Sequence, residues 1–369
     1  MAGIYIHVPF CASRCVYCGF FSTTSLSERG RYVDAVCREM KLRPLPGLMV
    51  DTVYLGGGTP SQLSSGQLSR LLESLYNIYN VSANAEVTME CNPDDVTPGF
   101  AQMLRQLKVN RVSMGAQAFS DTRLRFLRRR HTAAQTGEAL NCLREAGIDN
   151  VSIDLMYGFP GETLDEWHAD IDAALSLNVE HLSAYALTYE EGTPLRLMLE
   201  QGRVEETGEE LSRQMYYDLK DRLETAGFEH YELSNFARQG RRSRHNSGYW
   251  NRTPYLGLGA GAHSFCYQRR QWNPSDLQYY MESIERGILP EEHEVLTRKD
   301  VYNELVMTSL RTIDGLSLEL LSDRERCYCL NQADKYIDCG WLSRRADHLV
   351  LTREGLFVCD AVMADLFMA

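Results

Sequence analysis

The sequence predicts an α/β protein, with a partial TIM-like (β/α)6 barrel followed by a mainly helical C-terminal domain. Short β-rich runs recur along the first half of the chain, and segments with apolar residues at helical spacing separate them. Strand–helix alternation at this spacing is typical of parallel βαβ units. Six such units are too few for the closed eight-stranded barrel, so we expect an open one.

The predicted strands are the six β-rich runs Ile4–Val8, Thr52–Leu55, Glu86–Glu90, Arg111–Met114, Val151–Met156 and His181–Leu187. The predicted helices each carry an apolar face and span Gln67–Tyr79, Phe100–Leu107, Gly137–Ala146, Thr163–Leu177 and Glu209–Ala226. Thr163 stands three residues before Glu166, a spacing that is typical of a capping box at a helix start.

The composition changes after the last of these helices. Residues 235–275 are rich in Gly, Asn, Arg and aromatic residues, and from about residue 276 the chain is predicted to be mainly helical. Val301–Leu310 is the clearest helix there, and a strand at His348–Leu351 and a helix from Arg353 close the chain. We therefore predict two domains, residues 1–230 and 231–369.

The formal net charge of −12 disfavours nucleic acid as a partner, because an acidic surface repels phosphate backbones. The N-terminal residues do not read as a signal peptide, and no apolar run approaches the roughly 20 residues of a membrane helix. We expect a cytoplasmic protein that meets membranes only through partners. Eleven cysteines in that compartment are not expected to form disulfides, and the eight scattered ones are interpreted as small buried hydrophobic residues.

Unusual residues follow or end the predicted strands. In a βα barrel the carboxyl ends of the strands meet at one mouth, where the chemistry takes place. The residues placed there are a cysteine cluster after the first strand, Gly56–Pro60 after the second, Glu90, Gln117, Asp154 and Tyr185. Their convergence predicts a functional site at the mouth.

Cys11, Cys15 and Cys18 have the spacing CxxxCxxC. Thiolates on a short loop can reach separate irons of one cubane cluster, and three ligands leave one iron free for a small molecule. A structural zinc site with a distant histidine is the alternative, but such a site has no reason to lie at a catalytic mouth.

With these cysteines, the Gly56-Gly-Gly-Thr-Pro60 turn and the Asp154-Leu-Met-Tyr-Gly-Phe-Pro-Gly-Glu-Thr163 segment, the whole chain resembles radical S-adenosylmethionine (SAM) proteins of the oxygen-independent coproporphyrinogen III oxidase group. The resemblance implies a six-unit partial barrel and a 4Fe–4S cluster whose fourth iron is chelated by SAM. It also implies reductive cleavage of SAM to a 5′-deoxyadenosyl radical, with an electron donor such as flavodoxin or ferredoxin. The difficult chemistry would belong to the cofactor.

The same resemblance assigns residues to SAM. Gly57, Gly58 and Thr59 match the turn that meets its amino group, and Glu90 matches an acidic position on SAM. The remaining matches are Gln117 and Asp154 at the nucleoside and ribose, Arg129 at the carboxylate, and Tyr5. Arg128 replaces a residue that is usually glycine in the group, so the backbone there is expected to differ.

Two activities are known in this group, and three features favour a haem chaperone over an oxidase. Phe20 stands where the oxidases carry a further cysteine, and the longer N-terminal arm of the oxidases is not expected before Cys11. His245, Asn246, Tyr249 and Trp250 match the HNxxYW motif of the haem chaperones. The oxidative decarboxylation of coproporphyrinogen III stays the alternative.

The motif is also chemically suited to haem. Imidazole is a common axial ligand of haem iron, and aromatic rings can pack on a porphyrin face. His245, Tyr249 and Trp250 are therefore haem candidates, with His263 as the next one; alternatively, the aromatic residues belong to the core and His245 only forms hydrogen bonds. The expected partners are haem or another tetrapyrrole and the proteins that accept it.

Overall fold

The computed structural model describes residues 2–368. Six parallel strands run through its first half and lie side by side in sequence order. They are β1 (Ala2–Val8), β2 (Met49–Gly57), β3 (Asn80–Cys91), β4 (Arg111–Gln117), β5 (Asn150–Tyr157) and β6 (His181–Ala186). Each contains or overlaps a predicted strand, so the α/β barrel prediction is confirmed.

The segments around these strands form helices. They are α1 (Arg29–Leu42), α2 (Ser65–Ile78), α3 (Pro98–Gln106), α4 (Asp121–Phe126), α5 (Ala133–Glu145), α6 (Leu164–Ser176), α7 (Pro194–Glu200) and α8 (Glu209–Thr225). The predicted capping box is confirmed at α6, where Glu166 N donates to Thr163 Oγ1 at 3.3 Å and Thr163 N donates to Glu166 Oε2 at 2.9 Å.

The six strands have one apolar and one polar face. In β1, Ile4, Ile6 and Val8 are fully buried in the main hydrophobic core, whereas Tyr5 and His7 alternate with them on the other face. Strand pairing continues this inward face around the sheet through Thr52, Tyr54, Glu86, Thr88, Glu90, Arg111, Ser113, Ser152, Asp154, His181 and Ser183. We call the space that these side chains line the lumen. Its polar lining contrasts with the branched apolar layers that usually fill such barrels.

The sheet does not close, and it continues on both sides of the barrel strands. β9 (Tyr255–Leu258), β10 (His263–Cys266), β11 (Arg269–Trp272) and β12 (Glu292–Val295) extend it beside β1, and β7 (Glu229–Glu232) and β8 (Asn235–Ala237) extend it beside β6. None of these strands in residues 235–275 was predicted from sequence. These strands are three or four residues long, too short to show an alternating pattern.

The C-terminal part has a hydrophobic core of its own, formed by Leu233 and residues between 302 and 366. It contains α11 (Arg298–Ser309), α12 (Asp323–Asp338), α13 (Arg353–Leu356), α14 (Cys359–Leu366) and a small sheet of β13 (Leu316–Ser317), β14 (Leu342–Arg345) and β15 (His348–Leu351). The helices α9 (Arg244–Trp250) and α10 (Leu277–Glu285) precede it. The large sheet continues to Val295, and the domain division at residue 230 stays a prediction.

Candidate functional site

The cysteine loop follows β1 and lies at the mouth, as predicted. Its main anchor is Val16, which is 3% exposed and packs in a small apolar cluster with residues of the other βα loops. Val16 N donates to Leu127 O at 3.3 Å, and Val16 O accepts from Leu195 N at 2.9 Å. The loop is therefore fixed at its centre, between Cys15 and Cys18, by ordinary packing.

Cys11 is buried, and Cys15 and Cys18 are partly exposed. Within residues 2–368, no three His, Cys, Asp or Glu side chains converge as ligands of a single metal ion. A cubane cluster takes one thiolate at each of several irons, whereas structural zinc needs four ligands around one ion. The donor set of three thiols on one loop fits the cubane.

Two polar groups of the barrel contact these thiols. Thr59 Oγ1 donates to Cys11 Sγ at 3.5 Å, and Arg129 Nη1 donates to Cys15 Sγ at 3.6 Å. Burial raises the pKa of the Cys11 thiol, and the Thr59 hydroxyl opposes that shift. Because metals bind the thiolate, the Thr59 contact favours the form of Cys11 that would ligate iron.

The glycine turn packs directly on the cysteine loop. A Cβ on Gly58 would lie 2.8 Å from Pro9 C and 2.9 Å from Val8 O. Gly57 has a φ of +111°, and a Cβ there would clash with His7 Cε1. The glycines are thus required by the protein's own close packing, a reason that adds to the ligand approach predicted from sequence.

Glu90 lies in the lumen just below this turn. Its Oε1 accepts from Tyr54 Oη at 2.8 Å, and its Oε2 accepts from Gly57 N at 3.0 Å. In the described part of the chain it has no ion-pair partner within 4.0 Å, and burial raises its pKa to about 7. A buried carboxyl group without a cation is costly, and a cationic ligand would stabilise its ionised form.

Asp154 projects into the lumen from β5, two strands along the sheet from Glu90. It accepts a hydrogen bond from Ser113 Oγ at 3.3 Å, and burial raises its pKa against the opposing effect of the Ser183 hydroxyl. Nearby, Gln117 ends β4 with a φ of +66°, a conformation that is strained for a residue other than glycine. Such strain is typical of functional sites. Here it changes the backbone direction at the end of β4, where Gln117 is buried.

Arg129 reaches back over the mouth. Its Nη2 donates to both Asn92 Oδ1 and Gly115 O at 2.6 Å, and its Nη1 contacts Cys15. Arg128, just before it, has a φ of +62°, the left-handed conformation that glycine favours. Arg128 thus stands in a conformation that glycine adopts without strain, and a difference from the family backbone here stays a prediction.

Tyr5 lies in the lumen beside Glu90 and Tyr54. Its hydroxyl hydrogen-bonds to His7 Nδ1 at 3.0 Å, and its ring stacks on the rings of Tyr54 and His245 with centroids 6.2 and 6.5 Å apart. It therefore links the mouth to the opposite end of the lumen.

That opposite end is closed by α9, which carries the predicted haem motif. Glu86 accepts hydrogen bonds from the backbone N–H groups of Arg244 and His245, both at 3.0 Å. His245 is 3% exposed, with Nδ1 2.9 Å from Thr52 Oγ1 and Nε2 2.9 Å from Tyr249 Oη. Because both ring nitrogens are engaged, His245 forms part of a hydrogen-bonded floor, as the alternative interpretation described.

The other two haem candidates are placed differently. Trp250 packs under the guanidinium of Arg311, whose Cζ lies 5.0 Å from the ring centroid. His263 is exposed on β10 and stacks on Trp272 of β11, with centroids 5.9 Å apart. A cavity of about 140 Å³ lies beside the motif, lined in part by His245 and Tyr249. It is smaller than the roughly 300–1,000 Å³ of typical cofactor sites.

Sequence reasoning did not assign Asn92, Ser113 or Arg111 to the site. The first two support Arg129 and Asp154, and Arg111 projects into the lumen with only 1% of its surface exposed. Arg111 could have been recognised from the sequence, because it is a charged residue at the start of a predicted buried strand. Among the scattered cysteines, Cys266, Cys327 and Cys339 are exposed, so their interpretation as buried residues is wrong.

Comparisons with known proteins identify the family of the chain. Residues 5–174 match the Radical SAM superfamily, and residues 296–358 match the HemN C-terminal domain. The chain is 35% identical over 371 residues to a Mycobacterium tuberculosis protein named Heme chaperone HemW, covering 99% of this chain and 94% of that protein. The chain belongs to the HemW family. The Bacillus subtilis HemW is 34% identical over 330 residues, covering 88% of this chain and 87% of that protein.

The fold of the chain also matches that of a solved structure. Coproporphyrinogen III oxidase HemN from Escherichia coli superposes with a TM-score of 0.85 at 22% identity, covering all of this chain and 90% of that one. At this identity the likeness describes the fold alone. Within residues 2–368, no helix is both long and apolar enough to cross a membrane.

Proposed function

We propose that the chain binds haem for delivery to acceptor proteins, and that it carries a SAM-ligated 4Fe–4S cluster at the barrel mouth. The observation that carries the proposal is near-full-length similarity to proteins named Heme chaperone HemW. It is supported by a barrel mouth that holds three thiols on one loop and the partly buried carboxyl groups of Glu90 and Asp154. The cluster, when bound, would supply the electron that cleaves SAM.

Cys11, Cys15 and Cys18 would hold the cluster. Their loop is anchored at Val16, and Arg129 places a positive charge beside Cys15. Replacing any one of the three by Ala should remove the cluster's visible absorption after anaerobic reconstitution, whereas Cys266→Ala, at an exposed site on β10, should leave it unchanged. A triple Ala variant that still assembled the cluster would contradict the assignment.

Glu90, Asp154, Gln117 and Arg129 would bind SAM, with Tyr5 and the Gly57–Thr59 turn around them. SAM carries an amino group, a carboxylate and ribose hydroxyls, and this lining offers acidic, basic and amide groups for each. Glu90 and Asp154 are partly buried and have no ion-pair partner in the described residues, so a cationic ligand would stabilise both. The protein's part is to orient SAM and to exclude water.

For the haem, we propose His263 as the iron ligand that is directly accessible. Strand pairing places it opposite Trp272 and on the same side of the sheet as Tyr5. His245 would need to break its bonds to Thr52 and Tyr249 before it could reach iron. The motif residue Tyr249 connects the floor to this surface through an edge-to-face contact with Tyr255 of β9, with ring centroids 4.7 Å apart.

Titration of the protein with haem tests this part. His263→Ala should weaken the Soret shift while leaving the unfolding free energy unchanged. His245→Ala should lower both, because it removes a buried floor residue. Unchanged haem binding in His263→Ala would contradict the ligand assignment, and the motif would then be the remaining candidate.

A further inference from the structure

A guanidinium group is buried in the lumen without a hydrogen-bond partner. Arg111, the first residue of β4, is 1% exposed, and its Nε and Nη1 atoms are buried and unpartnered among residues 2–368. Thr88, its neighbour on β3, has a buried hydroxyl in the same condition. A buried arginine that served only the fold would be expected to form an ion pair.

In the register of β3 on β4, Arg111 lies between Glu90 at the mouth and the level of Glu86, which binds the backbone of His245 at the floor. Glu90 pairs with Ser113, two residues beyond Arg111 along β4, and Ser113 donates to Asp154. One such inward step along a strand is about 7 Å, within the reach of an arginine side chain. In strand register Glu90 therefore lies one inward step above Arg111, and Asp154 lies two, because Arg111 pairs with Asn150 of β5.

The positive charge of Arg111 affects the two acids and two histidines of the lumen. Burial raises the pKa of Glu90 and Asp154, and Arg111 opposes both shifts. Burial lowers the pKa of His181 and His245, and Arg111 adds to both shifts, so these histidines stay neutral. The other titratable groups facing the two acids are Tyr5, Tyr54 and Tyr249 near Glu90, and Arg129 and Tyr185 near Asp154.

We propose that Arg111 is a positioning residue that keeps Glu90 and Asp154 ionised, and so able to bind a cationic, hydroxyl-bearing ligand at the mouth. The inference rests on the proposed SAM site. Arg111 would not touch the ligand; it would act through the two carboxylates. Removing Arg111 should therefore weaken ligand binding in the pH range where the two carboxyl groups titrate. It should not weaken binding at higher pH, where both are ionised without it.

The test is SAM binding by equilibrium dialysis to the reconstituted protein between about pH 6 and pH 9. Arg111→Met should bind about tenfold more weakly than wild type at the acidic end, because each unit of pKa shift is a factor of ten in protonation. At the alkaline end it should bind equally or more tightly, because a positive charge near a cationic ligand has been removed. Arg111→Lys should restore the wild-type profile, and Thr88→Val, a neutral change beside it, should preserve that profile.

A second readout does not depend on SAM or the cluster. The infrared carbonyl band of a protonated buried carboxyl group should persist to higher pH in Arg111→Met than in wild type, and part of it should disappear with Glu90→Gln. Arg111→Gln replaces the Met variant if that one does not fold. Equal weakening of SAM binding at all pH values, with an unchanged infrared titration, would overturn the proposal. Absence of SAM binding by wild type at every pH would refute the SAM site instead, and the infrared titration would still decide the role of Arg111.

Discussion

Replacing His245 by Ala should destabilise the whole protein, because the imidazole closes the end of the lumen. Its two ring nitrogens hydrogen-bond to the hydroxyls of Thr52 and Tyr249, and its ring stacks on Tyr54 with centroids 5.2 Å apart. The variant leaves both hydroxyls without this partner and opens a cavity where the ring was.

The expected loss follows from these contacts. Each buried polar group left unsatisfied costs about 1–3 kcal/mol, and the cavity adds to that cost. The sum is about 3–5 kcal/mol, a large share of the roughly 5–15 kcal/mol by which proteins are usually stable. Tyr249→Phe removes only the bond to Nε2 of His245, so its effect should be smaller, about 1–2 kcal/mol.

Urea unfolding of the cluster-free protein, followed by circular dichroism, measures the loss. His263→Ala is the matched control, since an exposed histidine should change the unfolding free energy by less than about 0.5 kcal/mol. A His245→Ala variant within about 1 kcal/mol of wild type would refute the floor role. Loss of haem binding in such a stable variant would point to His245 as the iron ligand.

Three further predictions concern the mouth. Without ligand, burial raises the pKa of Glu90 from 4.5 to about 7, so the folded chain holds this proton more tightly than the unfolded chain. Stability relative to Glu90→Gln should be greatest below pH 4.5 and fall by about 3 kcal/mol as the pH rises to 7; a difference in urea midpoints that does not vary with pH would contradict this. Gly58→Ala should displace the cysteine loop and impair cluster loading, because its Cβ would lie 2.8 Å from backbone, whereas Gly66→Ala, with nothing within 4 Å, should load normally. Asp154→Ala should weaken SAM binding at least about tenfold without loss of the cluster, and Ser113→Ala should weaken it less; equal affinities by dialysis would count against the pocket.

The strands and the mouth could be predicted because each depends on local sequence. β1 to β6 are continuous β-rich runs, and their carboxyl ends must meet once the strands are parallel. The cysteine spacing and the glycine turn are likewise local. Sequence alone therefore located Cys11, Glu90 and Asp154 at one end of the barrel.

The placement of the haem motif could not be predicted in this way. Whether His245 faces solvent or fills the lumen depends on contacts with Thr52 and Glu86, which lie more than 150 residues away in sequence. The polar lumen was hidden for a similar reason. Thr88 stands between two apolar residues and Arg111 begins its strand, and only the register of β3 on β4 shows that they line one interior space.

The central claim is that the chain binds haem and does not turn over coproporphyrinogen III. One anaerobically reconstituted sample, divided between two assays, tests it most directly. Added haem should give a stoichiometric Soret shift, and coproporphyrinogen III with SAM and reductant should give no protoporphyrinogen IX. Conversion of coproporphyrinogen at one equivalent or more, with no Soret shift, would contradict the account and identify the chain as an oxidase.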